Sequence, residues 1–315
     1  MKVRFAVSVG AGAPDSEAFA SLVEEAEDLG FDTLWLSDLP SQPSVEPALG
    51  IAFAAASTSR VRLGANFIPF GTVPFVLAHR LAQLDRLSGG RLLVTLVPGL
   101  DLPEERDALG TAGLHRGRMM SSLVPRLREW WSGGGDPPLA VRPLQQPLEV
   151  WLGGSGPDAV ARAGQLSDGW LGSLMPPERA GAIRRTIQEA AAAVGRSIDP
   201  EHFGLSIVYA RSDDELAATL SQPGGARRLR RLDPALIPVG RAALRGFVGR
   251  LVDEGLSKFV MRSAVAGAGG AGASGNAAGV RRRLETDGGV VPAGAAARGQ
   301  GELEWLADAV LDLQT

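Results

Sequence analysis

The chain has 315 residues, of which 45% are hydrophobic and 21% are charged, and its formal net charge is −3 at pH 7. These values are ordinary for a globular protein, and the charge gives no general attraction to nucleic acid or anionic lipid, so neither partner is expected. Cysteine is absent and no two of the three histidines lie at ligand spacing, so disulfides and thiolate metal sites are excluded and no metal site is expected.

From the N-terminus onward, predicted strands and helices alternate. The segment 1–10 is too short for a secretion signal and no 18-residue apolar run follows it, which favours a cytoplasmic protein without a membrane span. Residues 3–9 form a buried-strand run, and the segment 14–30 has apolar residues at helical spacing. The next three predicted strands are 33–37, 61–68 and 91–97. The helices between them carry the apolar positions Val45, Leu49, Ala52, Phe53 and Ala56, and then Leu77, Leu81, Leu84 and Leu87.

The alternation continues through the second half of the chain. A polar, Pro-rich stretch over 132–147 interrupts it once. The remaining predicted strands are 148–152, 168–172, 203–210 and 258–262. One helix is predicted to begin at Pro157, and four others are marked by the apolar sets Met120, Leu123, Leu127 and Trp130; Ile183, Ile187, Ala190 and Val194; Leu244, Phe247, Val248 and Leu251; and Leu303, Leu306, Val310 and Leu313.

Eight predicted strands separated by helices indicate an α/β protein with a single (β/α)8 TIM barrel over residues 1–315. A doubly wound open sheet is the competing topology, because it also alternates strands and helices but needs fewer strands.

A Gly- and Ala-rich segment over 264–300 breaks this pattern after the last predicted strand. Its composition predicts a flexible surface insertion. The alternative interpretation is a lid over the barrel mouth, with Arg281, Arg282 and Arg283 as a tip that binds anions or a partner.

The stretch "VWLGGSGPDAVARA" (150–163) reads as a strand, a glycine loop and a helix start. Glycines let the main chain approach a ligand closely, and the free amides of a helix N-terminus attract phosphate. The loop has neither the Walker spacing nor the Rossmann spacing. A phosphate cradle and a tight turn without a ligand are both compatible with it.

Four ordered stretches, 26–38, 58–92, 115–131 and 147–171, together resemble the luciferase-like monooxygenase family. "LDRLSGGR" (84–91) is the most specific piece, and 247–262 is a weaker match. The family consists of barrel oxidoreductases that use FMN or the deazaflavin coenzyme F-420. The resemblance therefore implies one of these cofactors, a small-molecule substrate, and relatives that often form homodimers.

In this family the glycine loop grips the cofactor phosphate, and the ring lies across the carboxyl ends of the strands. The resemblance accordingly implies a catalytic role for Asp38, which orients the ring or acts as a base; capping of its own loop is the alternative. It assigns cofactor binding to Asn66, Phe67, Ile68, Gly99, Gly153, Gly154, Ser155 and Gly156. Phe67 or Ile68 is expected to back the face of the ring.

Several positions depart from the family pattern. Leu39 stands where many relatives have a proton-carrying histidine, Thr95 and Val97 stand where glycines are usual, and Asp101 replaces an asparagine. With FMN, monooxygenation is expected; with the deazaflavin, which the composition slightly favours, hydride transfer is expected. Two alternatives stay open: a catalytically degenerate member that binds without turnover, and a barrel enzyme that acts on a phosphorylated metabolite without redox chemistry.

Overall fold

The structure, a computed structural model, describes residues 1–9, 15–40, 44–221, 233–264 and 296–315, with only the backbone for 296–300. Eight parallel strands form a closed barrel in chain order, because the last strand pairs with the first. The strands are β1 (Arg4–Ser8), β2 (Thr33–Ser37), β3 (Arg62–Phe67), β4 (Leu92–Leu96), β5 (Val150–Gly153), β6 (Gly169–Ser173), β7 (Phe203–Tyr209) and β8 (Lys258–Ser263). The predicted barrel is confirmed, and the open sheet is excluded.

Helices follow the strands and cover the outside of the barrel. They are α1 (Ser16–Asp28), α2 (Pro47–Ser57), α3 (Pro74–Leu87), α4 (Pro103–Ala108), α5 (Arg116–Ser132), α6 (Pro157–Leu166), α7 (Pro177–Ala192), α8 (Asp213–Ser221), α9 (Gly240–Asp253) and α10 (Ala296–Val310). The sequence did not predict α4 and α8, because both are too short for a periodic apolar stripe. The last helix was predicted to include Leu313, but α10 ends at Val310 and a 3₁₀ turn follows over Leu311–Leu313. None of the helices in the described ranges is long and apolar enough to cross a membrane.

The buried face of α2 differs from the predicted one. Leu49 is 73% exposed and Phe53 is 39% exposed, whereas Gly50, Ile51 and Ala54 face the core. A Cβ atom on Gly50 would stand 2.4 Å from Cδ2 of Leu36, so the helix approaches β2 through its smallest residues. Because α2 is apolar on all sides, its composition could not indicate which side is buried.

Of the predicted 264–300 insertion, residues 265–295 lie outside the described part of the chain, and so do Arg281, Arg282 and Arg283. Before the segment, Ala264 N–H donates to the carbonyl oxygen of Tyr209 at the end of β7 (2.8 Å). After it, α10 begins at Ala296.

Side chains inside the barrel form three zones along its axis. The middle zone is an apolar cluster that contains Ala6, Trp35, Leu93, Trp151, Leu171 and Val260. Because residues two apart on a strand share a face, and paired register positions share it too, the inward positions at the carboxyl ends of β2, β3 and β4 are Ser37, Asn66 and Thr95. The inward positions at the opposite end of the barrel include Arg4, Arg62 and Lys258. The barrel therefore has two polar ends separated by an apolar middle.

The segment that resembles the family most specifically is held by buried polar contacts outside the barrel. Arg91 donates to the carbonyl oxygens of Ser88 (2.7 Å), Val61 (2.9 Å), Thr58 (3.0 Å) and Ala55 (3.2 Å), and to Oγ1 of Thr58 (2.8 Å). These contacts tie the start of β4 to the end of α2 and to the loop that enters β3.

Asp85, fully buried on α3, secures the Pro-rich stretch before β5. Its carboxylate accepts hydrogen bonds from the backbone N–H groups of Leu144 (2.7 Å) and Gln145 (2.9 Å), and from Nε2 of Gln145 (2.6 Å). Asp85 and Arg91 thus fix loops on the outside of the barrel and not the mouth.

Candidate functional site

Asp38 lies directly after β2, at the C-terminal mouth of the barrel. Its N–H donates to the carbonyl oxygen of Asn66 (2.9 Å), and its Oδ2 accepts from the N–H of Ile68 (3.1 Å). The carboxylate is therefore bound to the end of the neighbouring strand β3. Burial raises the pKa of Asp38 above its ordinary value, the carboxylates of Glu46 and Glu105 raise it further, and the Ile68 N–H opposes the shift.

Two buried oxygen atoms face the mouth beside Asp38. Asn66 Nδ2 donates to Ser37 Oγ (3.3 Å), but Asn66 Oδ1 has no hydrogen-bond partner within the described residues, and neither does Oγ1 of Thr95. Asn66 and Thr95 are register neighbours on β3 and β4, so both side chains point into the barrel. Buried polar atoms are rarely left unpaired, so these two oxygens are candidates to bind a polar group of a ligand.

Phe67 and Ile68 have different surroundings. Because Asn66 points inward, the side chain of Phe67 points outward, and it is buried in the core between barrel and helices. The expectation that the Phe67 ring backs a cofactor does not fit this orientation. Ile68 follows the strand and contacts Gly99, where a Cβ atom would stand 3.1 Å from Ile68 Cδ1.

Gly99 lies in the loop that follows β4, between Ile68 and Glu105. It has φ +75°, and a Cβ atom there would lie 2.5 Å from Oε1 of Glu105. Glu105 is buried on α4 and accepts a hydrogen bond from the N–H of Leu100. Sequence reasoning missed Glu105, because α4 shows no periodicity and its approach to Asp38 depends on the tertiary fold.

Arg116, buried at the start of α5, holds the same loop. Its Nη1 donates to the carbonyl oxygens of Pro98 (2.7 Å) and Leu100 (2.8 Å), and its Nη2 donates to Oδ1 of Asp101 (3.1 Å). Asp101 also pairs with Nε of Arg106 (2.6 Å). The aspartate that replaces the usual asparagine therefore forms ion pairs that shape the rim of the mouth.

The glycine loop connects β5 to α6 at the same end of the barrel. Gly154 has φ +112°, a conformation that favours glycine, and its carbonyl oxygen accepts from Nε1 of Trp170 (2.8 Å). Gly156 is the N-cap of α6, makes no side-chain cap, and has nothing within 4 Å of the position of a Cβ atom. Gly154 and Gly156 are exposed, and Ser155 is half-buried. Pro157 carries no N–H, and Ala159 and Val160 donate to the carbonyl oxygen of Gly156 (3.0 Å each). In the part of the chain that the structure describes, the amides left without an acceptor at this positive helix terminus are those of Gly154, Ser155, Gly156 and Asp158.

Thr95 on β4 and Val97 directly after it fill space next to this loop. Val97 Cγ1 lies 2.9 Å from the position of a Cβ atom on Gly153, so only glycine fits there. Thr95 is fully buried. The mouth is therefore closed more tightly on the β4 side than a glycine-lined strand would make it.

A small cavity opens on the other side of the mouth, between the ends of β1, β2 and β8. It is lined by Val9, Leu36, Ser37, Leu39, Ser44, Val45 and Arg262. Arg262 points inward because it lies two residues beyond Val260 on β8, and it is half-buried. Strand β8 is three strands away from β5, so this cation lies far around the rim from the glycine loop. Nothing in the sequence pattern distinguished Arg262.

The closed eight-stranded barrel places the protein in the class of (β/α)8 barrels. Barrels of this class have their functional sites at the carboxyl ends of the strands, where the groups described above lie. The sequence profile of the luciferase-like monooxygenase family matches residues 1–279, and the chain belongs to this family.

Two relatives of this chain are named as redox enzymes. The chain is 31% identical over 232 residues to a protein of Mycobacterium tuberculosis named as a coenzyme F-420-dependent oxidoreductase, covering 66% of each chain. It is 27% identical over 226 residues to 5,10-methylenetetrahydromethanopterin reductase of Methanopyrus kandleri, covering 62% of this chain and 63% of the relative. The matches thus span slightly less than two thirds of these relatives' length.

Solved structures share the fold at low sequence identity. An F-420-dependent secondary alcohol dehydrogenase superposes with a TM-score of 0.71 at 17% identity, over 84% of this chain and 94% of that one. Monooxygenase RslO1 from Streptomyces bottropensis superposes with a TM-score of 0.70 at 20% identity, over 98% and 99%.

Proposed function

We propose that the protein is an oxidoreductase that uses the deazaflavin coenzyme F-420 or FMN to transform a small organic substrate at the C-terminal mouth of the barrel. The observation that carries this proposal is the pairing of an open amide cradle on one side of the mouth with two unpaired buried oxygens in its floor. A ligand with an anionic tail and a polar ring edge satisfies both features. The redox names of the relatives support the same conclusion.

The glycine loop would hold the phosphate of the cofactor. Among the described residues the N–H groups of Gly154, Ser155 and Gly156 have no acceptor, and the α6 dipole adds positive potential at the same point. Gly153 lets the loop pass Val97 without a clash.

The floor of the mouth would position the ring. Asn66 Oδ1 and Thr95 Oγ1 can bond its polar edge, and Ile68 and Gly99 can line its face. Phe67 would contribute through the main chain of β3 alone. When bound, a deazaflavin supplies hydride transfer, and a reduced flavin supplies oxygen activation.

Asp38 would carry the proton that the chemistry requires. Leu39 cannot do so, whereas Asp38 is half-buried at the mouth and has a raised pKa. A carboxyl group that retains its proton at higher pH can donate it to a substrate oxygen and recover it afterwards. Burial is the main cause of the raised pKa of Asp38, and the carboxylates of Glu46 and Glu105 add to it.

Titration of the purified protein with F-420 and with FMN, followed by fluorescence, tests the proposal. Gly156→Asp places a carboxylate at an N-cap that tolerates it, so it should preserve α6 while repelling a phosphate. We expect at least tenfold weaker binding of the preferred cofactor to Gly156→Asp and near-normal binding to the neutral control Gly156→Asn. Equal affinities for wild type and Gly156→Asp would contradict the phosphate assignment.

The two alternatives predict other outcomes. A barrel enzyme for a phosphorylated metabolite would bind neither cofactor, and a degenerate member would bind one without hydride transfer or oxygen consumption in a stopped-flow assay. The relatives named above are enzymes, so the comparisons do not support the degenerate alternative.

The proposal includes a cytoplasmic homodimer. Exposed apolar side chains on the adjacent helices α2 and α3, and just before α3, offer a surface for it: Leu49, Phe53, Val73 and Val76. Sedimentation of wild type and Leu49→Glu tests this part, because the variant should shift a dimer towards monomer.

A further inference from the structure

A second cavity lies at the N-terminal end of the barrel, on the far side of the apolar middle zone from the mouth. We call it the lower cavity. Trp35, Leu93 and Trp151, members of the middle zone, form its roof. Its walls are formed by Arg4, Arg62, Glu149, His202 and Lys258. Four of these five wall residues are basic or can become so, and one is a carboxylate.

Ion pairs on the β1 and β8 side use the carboxylates available there. Arg4 Nη2 pairs with Glu201 (2.8 Å), and Arg4 Nε lies 4.0 Å from Asp32. The ammonium group of Lys258, nearly fully buried, donates to Asp32 and to Oγ1 of Thr33. The Asp32 carboxylate therefore binds Lys258 and Thr33, and among the described residues it forms no hydrogen bond or ion pair with the side chain of Arg62.

The single carboxylate of the cavity wall is engaged on the opposite side. Glu149 Oε2 lies 3.7 Å from Nδ1 of His202 and 3.4 Å from Nε1 of Trp151. The rings of Trp151 and His202 are 5.3 Å apart, so these groups form one packed unit. Glu149 thus lies against His202 and Trp151, and within the described residues it forms no ion pair with Arg4 or Arg62.

Two strong donors remain without an acceptor. Within the described residues, the guanidinium group of Arg62 has no hydrogen bond and no ion pair within 4.0 Å, although Arg62 is half-buried. Trp35 is 1% exposed, and its Nε1–H likewise finds no acceptor among the side chains and backbone that the structure describes. A Cβ atom on Gly64 would lie 2.4 Å from Cε3 of Trp35, so the benzene edge of the indole faces Gly64 and the N–H lies on the opposite edge of the ring.

We propose that the lower cavity binds a small monovalent anion, of halide or formate size, between the Arg62 guanidinium and the Trp35 N–H, beside the Lys258 ammonium. The cavity volume of about 20 Å³ has room for one such ion. The anion gives both donors an acceptor and balances the charge of Arg62, whereas Arg4 and Lys258 already pair with Glu201 and Asp32. This site is independent of the redox chemistry at the mouth.

The electrostatics of Lys258 agree with a positive cavity. Burial lowers its pKa to about 8, and the charges of Arg62 and Arg4 lower it further while Asp32 opposes the shift. A neighbouring anion reduces the repulsion between these three cations.

Thermal unfolding at constant ionic strength tests the proposal, with sodium gluconate replaced stepwise by sodium chloride, bromide or formate. We expect the Tm of wild type to rise saturably with at least one of these ions. Arg62→Gln should need at least tenfold more anion, whereas Arg60→Gln, an exposed neighbour with the same charge change, should behave like wild type. The most effective ion identifies the ligand as halide or carboxylate.

A crystal soaked in bromide gives an independent test that does not depend on the stability of a variant. An anomalous difference peak in the lower cavity supports the proposal. Bromide found only at surface sites, or equal anion responses in wild type and Arg62→Gln, overturns it.

Discussion

Oε1 of Glu105 lies 2.5 Å from the position that a Cβ atom on Gly99 would occupy. Gly99→Ala therefore displaces a buried carboxylate and also strains a residue at φ +75°. We expect the free energy of unfolding to fall by about 1–3 kcal/mol in urea titrations. Gly246→Ala is the control, because a Cβ atom there meets nothing within 4 Å, and helix propensity predicts a neutral or stabilising effect.

Asp38→Asn tests the proton-carrying role, given the proposed redox function. The asparagine oxygen can still accept from the N–H of Ile68, so the rim should stay intact. We expect kcat to fall at least tenfold with cofactor affinity nearly unchanged. Because the pKa of Asp38 is raised, wild-type activity that needs the protonated acid should decline with rising pH, and this limb should vanish in the variant. An unchanged pH profile would argue for another proton donor.

Thr95→Val removes a buried, unpaired hydroxyl group while nearly keeping the side-chain shape. Without a ligand, the loss of an unsatisfied polar atom should leave Tm unchanged or raise it. With F-420 or FMN, affinity should fall several-fold, because the ring edge loses a partner. Scanning calorimetry and cofactor titration measure the two effects. A variant that loses stability and keeps full affinity would contradict the assignment of Thr95 to the ring edge.

Glu25 on α1 makes the stability of the folded protein depend on pH. Burial and the nearby Glu304 of α10 raise its pKa to about 7. The folded state then holds a proton more tightly than the unfolded state, so stability falls as the pH rises from about 4.5 to 7. Glu25→Gln should raise Tm at pH 8 and change it little at pH 4. The exposed neighbour Glu24→Gln is the control, and a Tm gain that is the same at both pH values would count against this account.

Arg91→Lys keeps the charge but cannot reproduce the fork of donors that binds four carbonyl oxygens and a hydroxyl group. We expect a loss of about 2–4 kcal/mol in the free energy of unfolding, with unchanged cofactor affinity in the folded fraction. Chemical denaturation and cofactor titration measure the two quantities. A variant with normal stability and weakened cofactor binding would place Arg91 in the site and not in the scaffold.

Local sequence patterns predicted the barrel well, because each strand is a short buried run bounded by Gly, Pro or polar residues. They predicted the wrong buried face for α2. Apolar residues lie on every side of this helix, so the pattern does not indicate that the side with Gly50 packs against the barrel. The resemblance assigned the face of the ring to Phe67 or Ile68, and strand alternation from Asn66 turns Phe67 outward, so Ile68 remains as the prediction.

The remaining features depend on residues that are distant in the chain. Glu105 reaches Gly99 through a short helix, Arg262 reaches the cavity beside Leu39 from the last strand, and the lower cavity joins Arg62 to Lys258. Only closure of the barrel brings these groups together, so no local sequence pattern could predict these contacts.

Arg91 and Asp85 belong to the stretch by which the family is most readily recognised, yet both work on the outer shell, away from the mouth. A descendant could exchange every reactive group at the rim and still carry that stretch unchanged. Family membership recognised from this stretch therefore establishes the fold. The reaction depends on the few side chains that the strands present at their carboxyl ends.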